Sequence, residues 1–275
     1  MLELDGVKPP RERGELVRAV GFARPYLLGL GYSVALFAFG WLTWRGRATI
    51  VELCGRFGYR YDRRVSHTLP EKSVEDVAGN CNAVTLCALD SVDGNVTDRE
   101  LVVLSSLVVS SRAKSIFEFG TFDGRTTRNL AANAPLDAQV WTIDLPQASM
   151  ADLAVPIHAH EQRYVKKAES GARYRGTPEE AKVTQLYGDS GTYDFSRLYG
   201  TCDFVFIDAS HAYRYVINDS LLALKLLRTE GGVIAWHDYG RWDGVTQALN
   251  DLKSTHPDFR DAVSVQGTTL ALLRK

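Results

Sequence analysis

Two short segments in the last third of the chain carry side chains that could move a proton or bind a cation. Asp208 and His211 stand three positions apart, and His237 is followed directly by Asp238. An imidazole titrates close to neutral pH, so His211 is our candidate general base, with Asp208 as its catalytic neighbour. Carboxylates with a histidine would suit Mn²⁺, Fe²⁺ or Zn²⁺ better than Mg²⁺, which makes Asp208, His237 and Asp238 a candidate divalent-metal site.

Each of these residues also has an ordinary structural interpretation. An aspartate at the end of a strand often caps the following helix or closes a turn, and His211 could do the same. Without a metal, Asp238 would hold His211 or a substrate hydroxyl directly. Tyr215 and Trp242, which follow these segments, either shape a pocket for an acceptor or pack against the core.

A glycine-rich bend lies in the segment from Ser115 to Leu130, SIFEFGTFDGRTTRNL. Its apolar residues around Glu118 predict a buried strand, and the two glycines that follow predict a turn before a helix. Gly120 and Gly124 would let the backbone approach a ligand closely, while the N–H groups opening the helix favour negative charge. Phe122 replaces the middle glycine of the dinucleotide fingerprint, which counts against a pyrophosphate ligand.

The candidate residues need a sheet to bring them together. Strands are predicted in the glycine-bend segment, at 140–144, 183–187, 203–208 and 233–236, and in two runs around Gly267. Their alternation with helical patterns predicts an α/β fold with a doubly wound, mostly parallel seven-stranded sheet. Ligands of such sheets bind beyond the carboxyl ends of the strands. There Asp144 could accept hydrogen bonds from ribose hydroxyls, and Asp189 one from an adenine amine.

Composition excludes one class of partner. The chain has 275 residues and a net charge of −1, so it lacks the basic footprint of nucleic-acid binders. Its four cysteines form no C-x-x-C pair, and they fit reduced thiols in the cytoplasm.

The N-terminal region contains an apolar segment, residues 25–44, with no charged residue. Its length would span a bilayer, but its spacing equally suits a helix on a membrane surface or against a partner subunit in a homo-oligomer. We expect residues 1–72 to form a helical extension and residues 73–275 the catalytic domain.

From Thr97 to Lys275 the chain resembles class I S-adenosylmethionine-dependent methyltransferases, in particular bacterial O-methyltransferases that modify small molecules and sugars. The motifs that carry the resemblance are FEFGTFDGRTT, TIDLP, QLYGDS, FIDASHAYRYVINDS, GGVIAWHDYG and GTTLALLR. The resemblance implies a Rossmann-like sheet with its last strand antiparallel, and O-methylation of a small-molecule or sugar hydroxyl. Metal-dependent relatives use acidic residues at these places, so His237 departs from their pattern.

The resemblance also implies S-adenosylmethionine as cofactor. The residues it assigns to the methionine part are Glu118, Gly120, Thr121, Phe122 and Gly124; those at the ribose are Asp144 and Leu145; those at the adenine are Asp189 and Ser190. Two other functions stay open at this point: an NAD(P)-dependent oxidoreductase on a similar sheet, and a binding module that holds the cofactor without catalysis. A nucleic-acid amino-methyltransferase is disfavoured, because no Asn/Asp-Pro-Pro-aromatic motif is present.

Overall fold

The computed structural model describes residues 13–43, 46–47, 49–50, 53, 65–79, 81, 83–151, 153–154 and 161–275. The chain divides into two compact units, Met1–Arg63 and Arg64–Lys275. The expected boundary between residues 72 and 73 stays a prediction. Trp44, the last residue of the apolar segment, and Cys54 lie outside the described residues.

The first unit contains the helix α1, Arg13–Phe39, which continues into a 3₁₀ turn at Gly40–Leu42. Within it, Pro25–Leu42 has a mean hydropathy of 1.4, and none of its residues is buried. Among the described residues, this is the one helix long and apolar enough to cross a membrane.

The second unit is built on one sheet of eight strands. The strands are β1 Glu71–Lys72, β2 Ser115–Phe119, β3 Gln139–Asp144, β4 Val183–Tyr187, β5 Phe204–Ile207, β6 Val233–Trp236, β7 Val263–Val265 and β8 Ala271–Arg274. Their spatial order is β1-β7-β8-β6-β5-β2-β3-β4. Strand β8 runs antiparallel to its neighbours β6 and β7, and the other pairs are parallel.

This architecture confirms the Rossmann-like methyltransferase fold, including its closing hairpin, but the expected count of seven strands was wrong. The additional strand is β1, two exposed residues within the predicted N-terminal extension. Such a strand has no hydrophobic alternation to detect, because it lies at the sheet edge and pairs only with β7.

Helices cover both faces of the sheet. They are α2 Val74–Ala78, α3 Asp98–Ser111, α4 Arg125–Asn133, α5 Gln162–Val165, α6 Tyr213–Leu226 and α7 Asp243–Thr255, with 3₁₀ turns at Gln147–Ala151, Pro178–Lys182, Ser196–Leu198 and Pro257–Phe259. Strand β2 separates two apolar clusters, because side chains alternate along a strand: Ile116 packs with Leu104 and Leu130, and Phe117 with Val216 and Val245. Both faces of β2 are therefore buried, as in a parallel sheet covered on two sides.

The bend after β2 requires a glycine. Gly120 has φ of +90°, and its N–H donates to the carbonyl of Ile143 at 2.9 Å. A Cβ atom there would lie 2.0 Å from the carbonyl oxygen of Asp208. Gly120 therefore lets the chain turn while β2 and β5 stay paired beside each other.

We expect Gly120→Ala to destabilise the protein more than Gly200→Ala. Gly200 also has positive φ, +68°, but a Cβ there would meet nothing within 4 Å. The Gly200 variant should lose about 1–2 kcal/mol from backbone strain alone. The Gly120 variant should lose about 2 kcal/mol more, because backbone must move. Urea denaturation measures both, and equal losses would contradict the close approach.

Candidate active site

A cavity opens at the carboxyl edge of the sheet, at the ends of β2, β3, β4 and β5. It encloses about 740 Å³, counting its open mouth. Eight of the residues proposed from sequence line it: Gly120, Phe122, Asp144, Leu145, Asp189, Ser190, Asp208 and His211. The structure thus brings most of the candidate cofactor and catalytic residues to one space, as the carboxyl-edge rule for open α/β sheets predicts.

Three of the proposed cofactor residues lie behind that surface. Glu118 is fully buried and accepts hydrogen bonds from Thr127 Oγ1 and, at 2.6 Å, from Thr142 Oγ1. Burial raises the pKa of Glu118 to about 8, so its carboxyl group is mostly protonated at neutral pH. Thr121 and Gly124 shape the bend from inside: Thr121 bonds to Thr142 at 2.7 Å, and the Gly124 N–H donates to the Thr121 carbonyl.

The end of β3 carries a buried ion pair. Asp144 Oδ2 lies 2.8 Å from Lys167 Nζ, and Asp144 Oδ1 accepts from the Leu145 N–H at 3.1 Å. Burial raises the pKa of Asp144, and the nearby ammonium group opposes that effect. Lys167 belongs to the segment between β3 and β4 and lines the same cavity.

The end of β4 is held by the side chain of Asp189. Its Oδ1 accepts from the Gly191 N–H and its Oδ2 from the Ala154 N–H, both at 2.8 Å. The carboxylate therefore fixes the loop beside Ser190, and each oxygen keeps a further lone pair for a ligand.

His211 lies between two carboxylates. Its Nε2 is 2.8 Å from Asp238 Oδ2 and its Nδ1 is 2.9 Å from Glu161 Oε1. The imidazole also stacks on Trp242, with ring centroids 4.7 Å apart. Burial alone would lower the pKa of His211, but the two carboxylates outweigh burial and raise it to about 9. In this arrangement His211 is protonated at neutral pH.

His237 is held in the same manner behind the cavity. Its Nδ1 lies 3.1 Å from Asp208 Oδ1 and 3.3 Å from Asp238 Oδ2, and its Nε2 lies 3.3 Å from Glu100 Oε2. Burial would lower the pKa of His237, yet the surrounding carboxylates hold it well above its usual range. The charged imidazole in turn helps to keep the pKa values of Glu100 and Asp238 low, against the effect of burial.

A divalent cation fits the donor set at this edge. Asp208, His211 and Asp238 each offer one ligand atom, and these atoms lie within 4.8 Å of one another. The set proposed from sequence had His237 in place of His211, and His237 Nδ1 lies beside the same two carboxylates. Two carboxylates and an imidazole match the ligand preference of Mn²⁺, Fe²⁺ or Zn²⁺.

A comparison with known protein families identifies the domain that contains this cavity. Residues 117–239 match a family model described as "Methyltransferase domain". Residues 117–239 therefore form a methyltransferase domain. The matched range runs from the middle of β2 past the end of β6, so it includes the glycine bend and the histidines described above.

Solved structures similar to the methyltransferase domain include three methyltransferases. One is the O-methyltransferase from Bacillus cereus in complex with SAH, with 19% identity, coverage of 67% of this chain and 84% of that chain, and a TM-score of 0.46. The O-methyltransferase TomG from Streptomyces achromogenes, in complex with SAM, is 21% identical; the match covers 66% of this chain and 81% of that chain, with a TM-score of 0.47. The SAH-bound methyltransferase PaMTH1 from Podospora anserina is 17% identical; the match covers 66% of this chain and 80% of that chain, with a TM-score of 0.45. A search of curated proteins finds no match.

Sequence reasoning missed three residues of the methyltransferase domain that contact its candidate site. Glu161 and Lys167 belong to the charged segment between β3 and β4, where nothing in the spacing indicates which side chains turn toward the cavity. Glu100 forms a capping box with Thr97 at the start of α3. Its second contact, to His237, joins residues 137 positions apart and has no local signature.

Proposed function

We propose that this protein transfers the methyl group of S-adenosylmethionine to a hydroxyl group of a small molecule, with a sugar as one candidate acceptor. The observation that carries the proposal is the shared cavity, which the glycine bend, Asp144, Ser190 and His211 all line. A cofactor bound along the strand ends would place its reactive centre near the residues suited to handle a proton.

The residues fit the cofactor that the family implies. Gly120 lines the cavity without a side chain, and a Cβ there would collide with the carbonyl oxygen of Asp208. Asp144 and Leu145 would hold the ribose, and Asp189 and Ser190 the adenine. Bound S-adenosylmethionine supplies an electrophilic methyl group, so the protein has to position the acceptor oxygen in line and take up its proton.

His211 is the proposed general base, with Asp208 as its catalytic neighbour. The contacts of His211 with Asp238 and Glu161 keep it protonated at neutral pH, and an imidazolium accepts no proton. His211 can therefore give up its proton only when its contact with Asp238 or with Glu161 is lost. A divalent cation on Asp208 and Asp238 would lower the pKa of an acceptor hydroxyl. It would also engage Asp238 Oδ2 and so weaken the contact that keeps His211 protonated.

A binding module without catalysis remains the second candidate. The observation that favours it is the same pair of contacts, because both ring nitrogens of His211 already face carboxylates. No comparable observation favours an NAD(P)-dependent oxidoreductase.

We expect the wild-type protein to bind S-adenosylhomocysteine in calorimetry and to transfer labelled methyl groups to hydroxylated acceptors. His211→Gln should keep that affinity within about twofold and lose about 10²- to 10⁴-fold in transfer rate, because it removes the proton acceptor. His256→Gln, at the residue that precedes the 3₁₀ turn Pro257–Phe259, is the control and should change neither.

Three outcomes would contradict parts of this proposal. Wild-type protein that binds no S-adenosylhomocysteine contradicts the cofactor assignment. Undiminished transfer by His211→Gln removes its role as base and leaves Asp208 to be tested. Transfer that EDTA leaves unchanged contradicts a catalytic cation on Asp208 and Asp238.

We also propose that the apolar part of α1 attaches a cytoplasmic methyltransferase domain to a membrane. Its 18 residues would extend about 27 Å at 1.5 Å per residue, close to the thickness of a bilayer core. Three consecutive residues, Tyr26, Leu27 and Leu28, are 59%, 65% and 56% exposed. Successive helix residues point about 100° apart, so the apolar residues of α1 cover more of its circumference than the single stripe of a helix packed on one side.

Liposome flotation tests this attachment. The full chain should float with phosphatidylcholine vesicles, and Leu30→Lys combined with Phe37→Lys should abolish flotation, because charge in the apolar segment is costly. Leu136→Lys is the control, since this residue is 96% exposed in the methyltransferase domain. Wild-type protein that stays in solution as a homo-oligomer would contradict the proposal and support packing between subunits.

A further inference from the structure

We infer that Lys167 is a cofactor-binding residue that recognises the ribose hydroxyls jointly with Asp144. This inference rests on the proposed function, since it concerns the residues that would hold S-adenosylmethionine. No local pattern distinguishes this lysine from the other charged residues between β3 and β4.

The first observation is the position of the ammonium group. Lys167 Nζ lies 2.8 Å from Asp144 Oδ2 and donates to the Tyr164 carbonyl oxygen at 3.0 Å. The side chains of Lys167 and Asp144 are only 13% and 10% exposed, and both line the cavity at the end of β3. A lysine that served only solubility would extend into water instead of being enclosed beside a carboxylate.

The second observation concerns hydrogen-bonding capacity. An ammonium group has three N–H donors. Among the described residues, Lys167 donates one to the Tyr164 carbonyl oxygen, and its Nζ lies 2.8 Å from Asp144 Oδ2. A hydroxyl group both donates and accepts one hydrogen bond. It could donate to the Asp144 carboxylate and accept from the remaining N–H of Lys167, so the pair matches a sugar hydroxyl in both directions.

The third observation is that the backbone fixes where Lys167 lies. Just beyond it, the Gly171 N–H donates to the Phe122 carbonyl at 3.0 Å, and the Arg173 N–H donates to the Asp123 carbonyl at 2.8 Å. Arg173 Nε also pairs with Asp123 Oδ2 at 2.7 Å. The segment that carries Lys167 is therefore attached to the glycine bend, which holds the lysine at the cavity.

Lys167 could instead act only by neutralising buried Asp144. Calorimetric titration with two ligands separates these roles: S-adenosylhomocysteine, and its analogue without the 2′- and 3′-hydroxyls. The proteins are the wild type, Lys167→Met and the control Lys166→Met, whose exposed lysine is the chain neighbour of Lys167. Circular dichroism and thermal unfolding establish that each variant is folded.

Lys167→Met should weaken S-adenosylhomocysteine binding by about 10- to 100-fold, the effect of losing a charged hydrogen-bond donor. The same substitution should weaken binding of the analogue by less than about threefold, because no hydroxyl is present to recognise. Lys166→Met should change neither affinity. If Lys167→Met does not fold, Lys167→Gln makes the same test, and its loss must again be larger for the ligand with hydroxyls.

Equal losses for both ligands, or no loss for either, would overturn the role of Lys167 while leaving the proposed function intact. Wild-type protein that fails to bind S-adenosylhomocysteine would overturn the proposed function and this inference with it. The binding readout does not depend on knowing the acceptor or on turnover.

Discussion

Buried carboxylates at the carboxyl edge of one sheet impose the main physical constraint on this protein. A charged group removed from water destabilises the fold unless a partner or hydrogen bonds compensate it. Asp144 has Lys167 at 2.8 Å, and Asp238 has His211 and His237 at 2.8 and 3.3 Å. Glu118 avoids the cost of a buried charge in another way, because its raised pKa keeps its carboxyl group mostly neutral.

The same compensation sets the chemistry available at the site. A histidine held by two carboxylates is a stable cation, which suits the fold but not proton abstraction. Catalysis at His211 therefore requires one of its partners, Asp238 or Glu161, to be engaged elsewhere when substrate is present. Trp242 stacks against the imidazole and helps to orient its ring plane.

The sequence predicted the elements that repeat a local pattern. The buried run of β2 and the Gly120 turn each have a signature within a few residues, and both are present. The two exposed residues of β1 have none. Lys167 and Glu161 could not be assigned either, because their partners lie on distant strands and loops, and only the tertiary fold determines which charged side chains turn inward.

The protonation of the two central histidines tests this account most directly. Nitrogen-15 NMR of imidazole-labelled protein distinguishes imidazolium from neutral rings, and His211→Gln and His237→Gln assign the signals. The account predicts that both rings are imidazolium at pH 7.5 in metal-free protein, and that His211 loses its proton near pH 9. Neutral rings for both residues at pH 7.5 would contradict it.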